Sequence, residues 1–267
     1  MNLKKILIFV LWVLFAASFF VMVGFVEVEQ QKVICKGLDI NFDQADEHSF
    51  LTRAEIVKAI YQLMGDSAEG KPMKDISISL IKQRLEENEY ISRAIVFATV
   101  DGWITVRISQ RTPIIRVQNL KGENFYISDD GRMIPVSFKY SARLPVCNGI
   151  ITETYDTSRD LVPADTSVSD IDDKISALQK VYLLGQCLKK NQLIAEQTEQ
   201  VYINKYGEFE LVPLLGDHTV IVGDANDLQE KVDKLGVFYT KALKDKGWNT
   251  YKTINIKFKN QVICSKN

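Results

Sequence analysis

Few residues in this chain of 267 have the types and spacing that a reaction would need. Gly65-Asp-Ser-Ala-Glu-Gly70-Lys71 fills the first seven positions of a phosphate-binding loop, in which backbone N–H groups cradle phosphate and a lysine reaches its oxygens. The eighth position is Pro72, where magnesium needs a hydroxyl, and the segment follows an expected helix rather than a strand. It reads as a glycine-bounded interhelix loop. Ser79-Leu-Ile-Lys82 has the S-x-x-K spacing of acylating serine enzymes, but no K-T-G or S-D-N accompanies it, since Lys252-Thr253 runs on into Ile254.

The two histidines, His48 and His218, stand beside acidic residues in expected loops and share no zinc-binding frame. Asp129-Asp130 could offer carboxylates to a cation, but Gly131 behind them makes a turn the simpler account. Carboxylate pairs for glycoside hydrolysis are defined by a separation in space of ~5–10 Å, and nothing in the sequence points to one. Cys35, Cys147, Cys187 and Cys264 form no C-x-x-C motif. Three full pairings are open to them, yet a domain of this size needs no staples, and they are read as buried free thiols. No catalytic residue, metal or cofactor is assigned, and the chain is read as a binding protein rather than an enzyme.

With 33 Lys+Arg against 34 Asp+Glu and 46% hydrophobic residues, the composition is globular and lacks the basic excess of a sequence-independent nucleic-acid binder. Nucleic acid is therefore excluded as a partner. From Ile6 to Val26 the chain carries no charge, and about 20 apolar residues suffice to cross ~30 Å of hydrocarbon. Lys4 and Lys5 precede this run and Glu27 and Glu29 follow it, so Met1 is expected in the cytoplasm and everything after Val26 outside. A cleaved signal peptide is the rival reading. Its apolar region spans only ~7–15 residues and ends at small residues, whereas Ala16, Ala17 and Ser18 lie mid-run.

Beyond the anchor, Lys32–Asn41 reads as a strand. Thr52-Arg-Ala-Glu55 is a capping box that opens a helix to about Met64, with Ile56, Ile60, Leu63 and Met64 inward. A second helix is expected over Ile78–Asn88. Ile91–Val100 and Trp103–Ser109 alternate on either side of Asp101-Gly102, a strong hairpin signal. The order strand, helix, helix, strand, strand closes a small α+β unit, and Pro113 marks the exit.

Short strands follow at Ile114–Val117, Phe125–Ser128 and Met133–Val136, and the polar stretch Thr152–Asp170 reads as an exposed loop. A helix over Asp172–Lys189, a hairpin of Val201–Asn204 and Glu208–Pro213, and a strand at Thr219–Val222 come next. The last helix covers Leu228–Asp245 and stops at Gly247. Thr250–Cys264 is expected to be a single terminal strand, because Ile254, Ile256 and Phe258 alternate with Asn255, Lys257 and Lys259.

This order of elements resembles the FtsQ/DivIB family of bacterial division proteins over essentially the whole chain. ITVRISQRTPIIRV (104–117) resembles the family's strand leading into E-R-x-P. FYISDDGRMI (125–134) resembles its aromatic-x-x-D-x-x-G turn, followed by Leu144-Pro145 and Gly149. Val222-Gly223, Leu228, Lys231 to Leu235, and INIKF (254–258) resemble the final turn, helix and strand. Gln110 stands for the usual Glu, Asn255 stands for the usual Asp, and the cytoplasmic tail is short.

The resemblance implies an α+β protein with a short cytoplasmic tail and transmembrane helix (1–26), a POTRA-like βααββ domain (27–112) and a β-rich α+β domain (113–267). It further implies a single-pass scaffold of the bacterial cytoplasmic (inner) membrane, with its ectodomain in the periplasm at the division septum. There it would bind FtsB/DivIC-like and FtsL-like proteins among other divisome components and help control septal peptidoglycan synthesis. The partner role falls on Phe258, Asn260, Gln261, Val262 and Ile263, where a terminal strand could accept a partner strand and Lys257 and Lys259 could favour an acidic one. Gln110, Arg111 and Pro113 are expected to serve recruitment or interdomain geometry. A POTRA-type periplasmic chaperone for outer-membrane or secreted chains is the alternative function.

Overall fold

A computed structural model of the chain describes residues 11–18, 33–43, 49–65, 67–163 and 171–266. Residues 11–18 are helical and leave Leu11, Trp12 and Phe15 exposed. The rest of the expected anchor, Ile6–Val26, lies outside the described residues, as does His48. Among the described residues no helix is long and apolar enough to cross a membrane. The chain divides between Gln110 and Arg111 into two compact units.

The first unit holds β1 (Gly37–Phe42), α1 (Arg53–Met64), α2 (Ile78–Glu86), β2 (Ile91–Ala98) and β3 (Trp103–Gln110). The capping box forms: the Thr52 hydroxyl accepts from the Glu55 N–H at 3.3 Å, and the Glu55 carboxylate accepts from the Thr52 N–H at 2.9 Å. Two helices and a hairpin strand carry the chain back so that β1 lies parallel to β3, while β2 pairs antiparallel on the other side. Ile56 and Ile60 of α1 and Ile81 and Leu85 of α2 bury against Ile40, Ile104 and Val106 of the sheet. The helical and alternating spacings seen in the sequence thus meet in one core.

In the second unit nine strands form one sheet in the order β12-β11-β10-β9-β8-β7-β4-β5-β6. They are β4 (Pro113–Gln118), β5 (Asn124–Ser128), β6 (Met133–Pro135), β7 (Val146–Gly149), β8 (Thr198–Ile203), β9 (Phe209–Pro213), β10 (Thr219–Gly223), β11 (Thr253–Asn255) and β12 (Ile263–Ser265). The helices α3 (Ala177–Lys190), α4 (Gln192–Gln197) and α5 (Leu228–Phe238) share one hydrophobic core with it. Helix α3 comes so close to β4 that a Cβ at Gly185 would stand 3.0 Å from Ile114 Cδ1.

Several expectations are corrected. The long segment after Ile151 is not wholly solvent-facing: Leu161 is buried, and its N–H donates to the Gly131 carbonyl at 3.0 Å, so one apolar residue pins the loop to the core. The helix expected from Asp172 begins as a 3₁₀ turn and restarts at Ser176, whose own capping box with Gln179 sets the α-helical start. β7 and α4 were not legible, being a four-residue strand and a six-residue helix with too few residues to establish a period. The last helix changes to a π turn at Tyr239–Leu243 before α6 (Lys244–Lys246), and Gly247 ends it at φ 86°.

The expected single strand Thr250–Cys264 is a hairpin. Its two short arms, β11 and β12, pair antiparallel through Asn255–Ile263, Ile254–Cys264 and Thr253–Ser265. Asn260 turns the chain with φ 57°, a left-handed conformation that asparagine tolerates better than most residues. The alternation of Ile254, Ile256 and Phe258 therefore ends at Ile256, which is buried, while Phe258 is exposed in the turn. His218 lies in a loop, as expected, and is buried there against Tyr239 and Trp248. All four cysteines are unpaired thiols; Cys35 and Cys147 are buried, and burial pushes the Cys187 thiol up to about 11.

Candidate functional site: the terminal hairpin and its groove

The hairpin sits at one end of the nine-stranded sheet. β11 lies parallel to β10, and β12 covers β11, so β12 is the edge strand. Such an edge presents main-chain donors and acceptors to whatever approaches it. Beside it a groove of about 860 Å³ opens between α5 with its π turn and the hairpin turn. Val237, Phe238, Lys241 and Ala242 line one wall, and Asn260, Gln261 and Val262 line the other. Val237 points outward, about half exposed, although its neighbours Val232 and Leu235 are buried.

Three lysines fix the turn. Lys257 pairs with Glu208, Lys259 with Asp227 at 3.0 Å, and Lys234 donates to the Phe258 carbonyl. The hydrogen bond to Glu208 raises the Lys257 ammonium pKa, and that to Asp227 raises Lys259. Lys257 and Lys259 are thus engaged in ion pairs within the chain. A deeper pair stands at the start of α5, where the nearly buried Lys231 ammonium donates to Asp224 Oδ1 at 2.6 Å and to the Asp224 carbonyl at 3.0 Å. Burial would raise the Asp224 carboxyl, but Lys231 and Asn226 outweigh it and hold the group below its ordinary value.

Of the residues singled out in sequence, Asn260, Gln261 and Val262 come together on the groove wall. Ile263 opens β12 opposite Asn255, and Phe258 lies in the turn. Phe258, Asn260, Gln261 and Val262 are not in any strand, because the turn occupies them. Gln110, Arg111 and Pro113 lie elsewhere. Gln110 is buried in the first unit, accepting from the Phe50 N–H at 2.9 Å and donating to Ser49 Oγ at 2.6 Å. Arg111 pairs with Asp130, and Pro113 begins β4 beside a bulge, a place where a missing N–H is tolerated. Val237, Phe238 and Lys241 went unremarked as site residues in sequence. Val237, apolar and off the inward stripe of its helix, was the signal that could have found them.

The sequence features that suggested chemistry have structural partners. Asp129 accepts from Lys189 at 2.8 Å and Asp130 pairs with Arg111, which accounts for both carboxylates of the turn. Lys71 donates to the Met64 carbonyl at 2.9 Å and closes the end of α1, and Lys82 stands 3.8 Å from Glu86. Among the described residues no cluster of His, Cys, Asp and Glu could hold a metal ion. The arrangement that remains is an open sheet edge beside a mostly apolar groove, suited to receiving another polypeptide.

Comparison with known proteins agrees with this organisation. No curated protein matches the chain. Residues 33–109 match the family model of the POTRA-like domain. Residues 112–265 match the model described as FtsQ/DivIB, C-terminal related. That second match takes in the sheet, the groove and the hairpin edge and covers more than half of the sequence, and by it the chain belongs to the FtsQ/DivIB family.

Proposed function

We propose that this chain is a non-enzymatic scaffold of the bacterial division complex that receives a segment of an FtsB/DivIC-like protein, with an FtsL-like protein, at its terminal hairpin. Membership of the FtsQ/DivIB family supports a role in cell division. The observation that carries the partner site is the exposed edge of β12 beside the groove of α5. A partner strand laid along Ile263–Ser265 would extend the sheet through main-chain hydrogen bonds, and an apolar side chain from it would fill the groove next to Val237 and Val262.

The proposal keeps residues 1–26 as tail and anchor, 27–112 as the POTRA-like domain and 113–267 as the β-rich domain. It places the protein in the cytoplasmic membrane at the septum, with its N-terminus inside and the rest in the periplasm, where it helps control septal peptidoglycan synthesis. Phe258, Asn260, Gln261, Val262 and Ile263 form the partner surface. Gln110, Arg111 and Pro113 support the chain where one unit passes to the next.

Depletion of the protein in its own bacterium, followed by microscopy, is the test. Filaments or chains with arrested septa are expected. Normal septa with misassembled outer-membrane proteins would overturn the scaffold and favour the chaperone.

A further inference from the structure

The chain enters the first unit at one end of its sheet. Ile34 bridges to Pro72, the Lys36 N–H donates to the Gly102 carbonyl at 2.7 Å, and Gly37 at the start of β1 pairs with Trp103 at the start of β3. The β2–β3 turn is therefore at the same end as the arriving chain, whereas Gln110 leaves from the opposite end of β3. This end exposes apolar residues that nothing among the described residues covers. Ile34 is 53% exposed, Val100 85% and Trp103 42%.

It is also rigid. Gly102 adopts φ 92°, and a Cβ there would stand 2.4 Å from the Ile34 carbonyl oxygen, so turn and entering chain are pressed together. A Cβ on Gly37 would stand 3.0 Å from the Trp103 ring, which rests on the bare glycine.

Val33 follows the uncharged run Ile6–Val26 by only six intervening residues. Fully extended, six residues span at most about 20 Å. If that run crosses the bilayer, as the proposed function has it, Ile34, Val100 and Trp103 are tethered within reach of the headgroups. We propose that this end of the first unit docks on the bilayer, with Val100 and Trp103 entering the headgroup zone.

Tryptophan suits that zone because its ring is apolar and its N–H can remain hydrated. Tethering supplies a high local concentration, so a small apolar contact suffices. The charged residues at this end and in the tether, Lys32, Lys36, Lys71 and Lys74 against Glu27, Glu29, Glu69, Asp75 and Asp101, hold no excess of positive charge. The contact is thus apolar, without dependence on anionic lipid. The bilayer, rather than a protein, is favoured as the occupant because of the short tether.

The test uses the full chain reconstituted in phosphatidylcholine vesicles containing a nitroxide lipid labelled near the headgroup. The double variant Trp12→Phe/Trp248→Phe leaves Trp103 as the reporter, and Trp103→Phe/Trp248→Phe leaves Trp12 to report on the anchor. Quenching of both reporters is expected, about twofold or more for Trp103, unchanged by high salt. Adding Val100→Asp should reduce the Trp103 quenching while Trp12 stays quenched and the far-ultraviolet spectrum is kept. Trp12 quenched with Trp103 unquenched would overturn the docking and leave the anchor intact. Neither quenched would overturn both. Trp103 quenching that is insensitive to Val100→Asp, or that requires anionic lipid at low salt, would overturn the apolar contact.

Discussion

His218 Nε2 and the Tyr239 hydroxyl lie 2.9 Å apart, and on the other side of the ring His218 Nδ1 is 3.3 Å from the Trp248 carbonyl. A carbonyl only accepts, so Nδ1 carries the proton and Nε2 accepts from Tyr239. The neutral imidazole is thus satisfied on both sides and ties the loop before β10 to the π turn after α5. Burial lowers the His218 pKa below its ordinary 6.5, against the opposing effects of the Trp248 carbonyl and of Asp217. The unfolded chain therefore binds a proton at a higher pH than the folded one does. His218's contribution to stability is complete above about pH 6.5 and is lost as pH falls from there through the folded pKa. Chemical denaturation from pH 7.5 downward should show this loss, and His218→Gln should flatten that part of the profile.

The Lys231–Asp224 pair anchors the first turn of α5 and so one wall of the groove. Lys231→Met removes the ammonium but leaves Asp224, which is partly exposed and can be rehydrated. A loss of about 1–3 kcal/mol is expected by urea denaturation, with wild-type secondary structure retained. Because the Asp224 carboxyl is held below its ordinary value, the pair stabilises the fold above the unfolded carboxyl pKa, and that stability is lost as pH falls through the folded pKa.

Val237 and Ile263 are both about half exposed, one on the groove and one on the edge strand. Val237→Arg and Ile263→Asp should leave stability within about 0.5 kcal/mol, as surface substitutions do. Each should weaken capture of the FtsB/DivIC-like protein of the same bacterium by tenfold or more (about 1.4 kcal/mol) in a titration with purified components. Wild-type affinity for both variants would exclude this edge as the partner surface.

Gln110 distinguishes structural support from recruitment. Gln110→Leu withdraws the acceptor from the Phe50 N–H and the donor from Ser49, at an expected cost of about 1–3 kcal/mol. Gln110→Glu keeps the acceptor for the Phe50 N–H but offers no donor to Ser49 Oγ, whose own proton goes to the Leu51 carbonyl, and it buries a carboxylate, so it should cost at least as much. Thermal unfolding of the two variants checks the order.

Local signals in the sequence determined much of the first unit. The Thr52–Glu55 capping box, the stripe of Ile56 and Ile60 and the Asp101-Gly102 hairpin each act through residues a few positions apart, and the chain obeys them. The same holds for the hairpin of Val201–Asn204 and Glu208–Pro213 and for the stop at Gly247. Tertiary structure decided what depends on distant neighbours. Alternation through Phe258 described a strand, but Asn260 and the pairs Lys257–Glu208, Lys259–Asp227 and Lys234 with the Phe258 carbonyl bend the segment into a turn. Glu208 lies 49 residues from Lys257, a separation that no local period encodes. For the same reason the partner residues could be placed near the C-terminus from sequence, while the groove wall contributed by Val237 and Phe238 could not. It exists only because α5 packs beside the hairpin, and that packing is set by a core drawn from the whole sheet.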